Sequence, residues 1–155
     1  MIKTNAMRIL DLNKIPYQEI SYDDKLTDAI SIASILNEDI NQVFKTLVTT
    51  CVKSKKYYVF VIPASKELDL KKAASVSNEK NIEMIHQKEL LPLTGYIHGG
   101  CSPIGMKKQF KTFIDDSIND FDSIYISGGK VGLQIKIDTT SLIHFINATV
   151  VSLTK

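Results

Sequence analysis

The chain has 155 residues, 44% of them hydrophobic, and its 19 Lys and Arg against 17 Asp and Glu leave a formal net charge of +2. This length suits one ordinary domain over residues 1–155 with a real core, whereas two domains would each be marginal. A charge so close to neutral excludes a strongly basic protein that coats DNA or RNA by charge alone and leaves room for a local basic patch.

In chain order, residues 3–14 (KTNAMRILDLNK) put Ala6, Ile9, Leu10 and Asn13 on one helical face, and Pro16 ends that helix. The YQEISY stretch alternates like a strand. Leu26, Ile30, Ala33, Ile35 and Leu36 form a helical stripe with Thr27 or Asp28 as its cap. Asn37, Glu38 and Asp39 break it, and a short helical turn is expected over residues 40–43. Next, VFKTLVTTCV and KYYVFVIP carry β-branched and aromatic residues around the polar turn KSKK, a hairpin pattern that Pro63 closes. Residues 68–77 read as a helix, IEMI as a short strand, and HQKELL as a helical turn stopping before Pro92. FKTFIDDSI, SIYISG and LQIKID read as strands. TTSLIHFINATVVSL reads as a capped helix over residues 141–147 that runs out into extended chain.

This order lacks a regular βαβ beat, and the glycine segments have neither the G-x-G-x-x-G of a dinucleotide fold nor the G-K-[ST] of a phosphate loop. Nucleotide-hydrolysing and nicotinamide enzymes are therefore disfavoured. The expected fold class is α/β (α+β): a single domain with a mixed sheet of six to seven strands, curved or closed toward a barrel, with helices outside. Cys51 and Cys101 are the only cysteines and have no metal-ligand spacing, which argues against a disulfide framework and a metal site. No stretch approaches bilayer length and the N-terminus lacks a long apolar run, so no membrane role is expected and the cytoplasm is the default location.

All seven glycines lie in two short segments, TGYIHGGCSPIG and SGGKVG. Such clustering points to two loops with unusual dihedrals or close backbone approach to a ligand. Lys107 and Lys108 follow the first loop and Lys130 lies in the second, which suggests a negatively charged ligand. Eighteen of the 19 basic residues are lysine, so phosphate contacts would be point-charge contacts.

TGYIHGGCSPIGMKK followed by IYISGGKVGLQIKI resembles the YbaK/EbsC family of free-standing aminoacyl-tRNA deacylases, relatives of the editing domain inserted in bacterial prolyl-tRNA synthetases. QVFKTLV near residue 45 and LDLKKAA near residue 70 match in order and spacing, so the resemblance covers nearly the whole chain. It implies a mixed β-barrel with surrounding helices, no cofactor, and removal of cysteine mischarged onto tRNA(Pro), some members acting on other Cys-tRNAs. The partners it implies are the aminoacylated end of tRNA and prolyl-tRNA synthetase. The family's key lysine falls on Lys45, with Thr46 beside it, and its pocket tyrosine on Tyr22. Its ligand-cradling loop falls on Gly99, Gly100, Ser102 and Pro103, and its second loop on Ser127, Gly128 and Gly129. Val131 and Gln134 depart from the Arg and Asp usual there, and His98 and Cys101 stand where small or branched apolar residues are common.

Cleaving an aminoacyl ester needs a positioned ribose, a stabilised oxyanion and a nucleophile. Lys45 is expected to contact the terminal phosphate or ribose, with the N–H groups of Gly99, Gly100 and Cys101 facing the carbonyl. In cysteine-specific members the substrate's own thiol attacks and releases a cyclic thioester. Lys45 interrupts an apolar strand, where a merely solvated lysine has less reason to sit. Cys101 is either a covalent nucleophile or a small buried hydrophobe, the latter favoured because no base adjoins it. His98 is either a base, a ribose contact or a structural histidine; His86 and His144 fit packing or surface roles. Lys71 and Lys72, Lys107, Lys108 and Lys111, and Lys130 are either a phosphate footprint or an ordinary lysine-rich surface. Two alternatives stay open: a deacylase for Ala-tRNA or another small aminoacyl-tRNA, and a non-catalytic module binding tRNA or a synthetase.

Overall fold

The computed structural model describes residues 3–155 apart from Thr27, so the alternative cap at that position lies outside the described residues. Helix α1 (Asn5–Leu12) opens on Thr4, whose hydroxyl accepts from Met7 N and donates to Gly128 O. One side chain thus caps the helix and ties down a distant loop. After Pro16 comes strand β1 (Tyr17–Ser21). Helix α2 (Ala29–Leu36) starts later than the stripe from Leu26 suggests, because Asp28 takes the cap position and accepts from Ser31 N at 2.8 Å. Asn37, in the left-handed region, ends it, and a 3-10 turn covers Ile40–Gln42.

Strands β2 (Phe44–Cys51) and β3 (Lys56–Pro63) form the expected hairpin, in register from Phe44 opposite Pro63 to Cys51 opposite Lys56. Val59 and Val61 of β3 join the core that holds Ala6, Met7 and Leu10 of α1. Phe60 and Ile62 join a second core with Ala73 and Ala74 of helix α3 (Leu70–Ser77). A strand buried on both faces needs an unbroken apolar run, which is what KYYVFVIP supplies. Strand β4 (Glu83–Met84) pairs with the other edge of β2 at Thr49 and Thr50.

Helix α4 (Gln87–Thr94) runs through Pro92 instead of stopping before it. Near its end Leu90 O accepts from the Thr94 hydroxyl at 2.7 Å and Leu91 O from Gly95 N at 2.9 Å. Strand β5 (Lys111–Asp115) is shorter than expected because Asp115 turns the chain into a 3-10 segment, Asp116–Asp120. One Asp115 oxygen accepts from Ser117 N at 3.2 Å, the other from Leu153 N at 2.9 Å. Strands β6 (Ser123–Ser127) and β7 (Leu133–Asp138) pair antiparallel around the second glycine loop. Helix α5 (Thr139–Phe145) begins two residues early, capped by Asp138, and strand β8 (Thr149–Val151) follows.

Pairing gives an antiparallel sheet in the order β1-β7-β6 and a mixed sheet in the order β4-β2-β3-β5-β8, with β3/β5 and β5/β8 parallel. The eighth strand, beyond the six to seven expected, is the C-terminal extended run added to β5. Val43 and Tyr125 form a parallel bridge outside the named strands. Among the described residues the ladders form two sheets of a mixed α/β fold.

Candidate active site

On the side away from β3, residues Phe44–Leu47 of β2 have no strand partner among the described residues, because β4 reaches only Thr49 and Thr50. A cavity of about 620 Å³ lies along this open edge. Neighbouring side chains of a strand point to opposite faces, yet Lys45 and Thr46 both line the cavity, as they can when it wraps around an edge. The other sheet contributes Ser127 and Gln134, which are cross-strand partners. The first glycine loop contributes His98, Gly99 and Cys101.

Lys45 is half-buried, and desolvation pulls its ammonium below the ordinary 10.5, with the negative charge of Glu67 opposing. Thr46 Oγ1 and Gln134 Oε1 are buried without a hydrogen-bond partner among the described residues. In the first glycine loop the N–H groups of Gly99 and Cys101 also find no acceptor among the described residues. Gly99 has φ +85°, a conformation that glycine reaches without strain.

The Gly100 N–H, expected to face an ester carbonyl, instead donates to Ile97 O at 3.0 Å. Its glycine has a different cause. A Cβ there would lie 2.8 Å from Lys130 Cα and 2.9 Å from the Lys130 carbonyl carbon, so the two glycine loops touch backbone to backbone.

Other expected residues lie outside the cavity lining. Ser102 and Pro103 are buried, and the Ser102 hydroxyl accepts from Ile104 N at 3.2 Å. Gly128 is held through its carbonyl by Thr4, and Gly129 N donates to Ser127 Oγ at 3.2 Å. Tyr22 meets the site through Gln134, whose Nε2 lies 3.5 Å from the tyrosine hydroxyl. Lys107, Lys108 and Lys130 are exposed, the Lys107 stem lying against Gly95. Lys72 leaves the supposed phosphate footprint altogether, donating to Ser152 Oγ at 3.1 Å and to Thr154 O at 2.7 Å. Lys111 sits 5.7 Å from the Phe113 ring centroid.

Burial pushes the Cys101 thiol up to about 12, against a smaller opposite pull from the neighbouring Thr94 side chain. A thiol held neutral is a poor nucleophile, in keeping with its reading as a small buried hydrophobe. Iodoacetamide at neutral pH is therefore expected to leave Cys101 unmodified in the folded protein and to label it once the chain is unfolded. Peptide mapping by mass spectrometry checks this, and rapid native labelling would restore the nucleophile.

Sequence reasoning missed Met84 and Gln87 in the lining, since nothing in their type or spacing signals chemistry. Asp28 was legible as a cap but not as a cavity residue. Hydrogen bonds from Ser31 N and Ser31 Oγ, both 2.8 Å, hold its carboxyl below the usual range.

A model of the aminoacyl-tRNA editing domain matches residues 24–145, and the chain belongs to that family. Within it, the chain is 43% identical over 155 residues to a protein of Enterococcus faecalis that carries the provisional name Cys-tRNA(Pro)/Cys-tRNA(Cys) deacylase EbsC, spanning 98% of this chain and 93% of that one. A proline–tRNA ligase of Brachyspira hyodysenteriae is 27% identical over 124 residues, 75% of this chain and 22% of the ligase. Among solved structures, hypothetical protein APE2540 superposes with a TM-score of 0.90 at 17% identity, over 98% of this chain and all 100% of its own. A protein provisionally described as a trans-editing enzyme for prolyl-tRNA synthetase superposes with a TM-score of 0.88 at 20% identity, over 100% of this chain and 99% of its own. At such identities these two establish the fold.

Proposed function

We propose that the protein is a trans-editing deacylase that removes cysteine mischarged onto tRNA(Pro), and acts on other Cys-tRNAs, by cleaving the aminoacyl ester. Membership of the editing-domain family and the likeness to EbsC support the reaction class. The observation that carries the assignment of roles is that Lys45 shares one cavity with Gly99 and Cys101, whose N–H groups lack acceptors among the described residues.

In this scheme Lys45 holds the terminal phosphate or ribose, and the two N–H groups receive the carbonyl oxygen as it gains negative charge. The cysteine thiol of the substrate attacks the carbonyl carbon. A carbon–sulfur bond forms, the carbon–oxygen bond to ribose breaks, and the thiol proton passes to the ribose oxygen, leaving a cyclic thioester and free tRNA. The protein supplies no nucleophile, which agrees with a neutral Cys101. Lys107, Lys108 and Lys130 contact phosphates of the acceptor end as point charges. One domain carries the whole activity in the cytoplasm, with prolyl-tRNA synthetase as the source of mischarged tRNA. Among the described residues no helix is long and apolar enough to cross a membrane.

Purified protein given Cys-tRNA(Pro), Ala-tRNA(Pro) and Pro-tRNA(Pro) in parallel is expected to discharge the first fastest and spare the last. Faster release of alanine would favour the small-amino-acid alternative. Binding of all three with every ester intact would make the protein a silent tRNA-binding module.

A further inference from the structure

Gln134 is only 5% exposed, and it places a neutral amide in the cavity wall. Its Nε2 is turned toward the Tyr22 hydroxyl, which leaves Oε1 as a buried acceptor without a partner. Thr46 Oγ1, from the other sheet, is in the same condition. Three buried side-chain atoms among the described residues lack partners, and two of them belong to residues of this one cavity. Unmet buried polar atoms are costly and rare, so two of them on residues of one cavity point to partners supplied from outside the chain.

The surroundings narrow which donors those are. Asp28, the one carboxylate in the described lining, is already engaged through both oxygens by Ser31. Lys45 and the two backbone N–H groups are donors and serve the oxygen atoms of an ester or phosphate. An aminoacyl ester carries donors in its ribose hydroxyl, its side-chain thiol and its α-amino group, and of these only the α-amino group, once protonated, is a cation that does nothing but donate. Given the deacylase reading on which this rests, we propose that Gln134 Oε1 and Thr46 Oγ1 together receive the α-amino group of the aminoacyl ester. The site then demands a free amine and rejects N-acylated aminoacyl-tRNA and peptidyl-tRNA. An N-acylated nitrogen keeps a single N–H and brings an acyl group into the space beside two buried acceptors.

The test compares Cys-tRNA(Pro) with N-acetyl-Cys-tRNA(Pro), which keeps its thiol and its ester. Wild-type protein is expected to prefer the free amine by about 10- to 100-fold in kcat/KM, the range for a buried hydrogen bond to a charged group. Gln134→Leu is expected to lower the free-amine rate to near the acetylated rate, collapsing the ratio, while Gln134→Glu retains an acceptor and the preference. Thr46→Val is expected to shrink the ratio as well. A ratio of two substrates is unaffected by any loss of folded protein. Equal cleavage of both substrates by wild type, or a parallel fall in both with Gln134→Leu, overturns the inference alone. Cleavage of neither substrate by wild type overturns the deacylase reading and this inference with it.

Discussion

Lys45→Ala is expected to lower kcat/KM for Cys-tRNA(Pro) by about 100-fold or more, the usual cost of losing a charge that positions substrate and stabilises the transition state. The melting temperature should hold or rise. Burial lowers the Lys45 pKa, so the folded protein disfavours the charged lysine at neutral pH and deleting it removes that penalty. The pH dependence separates this from unfolding. The penalty is present in full below the folded-state pKa, and it is relieved as pH rises through that pKa toward the ordinary 10.5, so any stability advantage of Lys45→Met over wild type narrows over that interval. Activity has the opposite sign: as a cation, Lys45 is lost through the same interval, and wild-type kcat/KM above the spontaneous alkaline hydrolysis should begin to fall before pH 10.5. A Lys45→Ala protein with wild-type turnover would leave Lys45 as a strand-edge lysine with no role in the reaction.

Lys45 was legible because it breaks an apolar strand, and the β2/β3 hairpin because β-branched and aromatic runs flank a polar turn. Why Lys45 and Thr46 share one cavity was not legible. Their side chains leave opposite faces of β2, and one space reaches both because no strand among the described residues lies beside Phe44–Leu47. That edge stays open because β4 is two residues long, a fact of tertiary pairing and not of local pattern. The lysines show the limit from the other side. Lys72 and Lys107 look alike in sequence, yet Lys72 pins the C-terminal strand region while Lys107 is exposed. Helix α4 passes Pro92 and ends only at Gly95, whose N–H closes on Leu91 O, so the proline alone did not mark the boundary.

The glycines are where a sequence reading most readily mistakes one cause for another, and Gly100→Ala tests the difference. A Cβ at Gly100 would sit 2.8 to 2.9 Å from three backbone atoms, Lys130 Cα, Lys130 C and Val131 N. Backbone cannot swing aside as a side chain can, so the loops must separate, at a cost of about 3 kcal/mol. For a chain of this size that corresponds to a fall of roughly 6–12 °C in melting temperature. Gly99→Ala is the control: it is strained by φ +85°, but its Cβ meets only the Val131 side chain, at 3.3 Å, so its loss should be nearer 1–2 kcal/mol. The two variants also differ in what they do to the reaction. Separating the loops pulls the Cys101 N–H on one side away from Ser127 and Gln134 on the other, so Gly100→Ala should lose activity even at temperatures where it is fully folded. Gly100→Ala with wild-type stability would mean that the loops are not in backbone contact, and the cavity built between them would lose its floor.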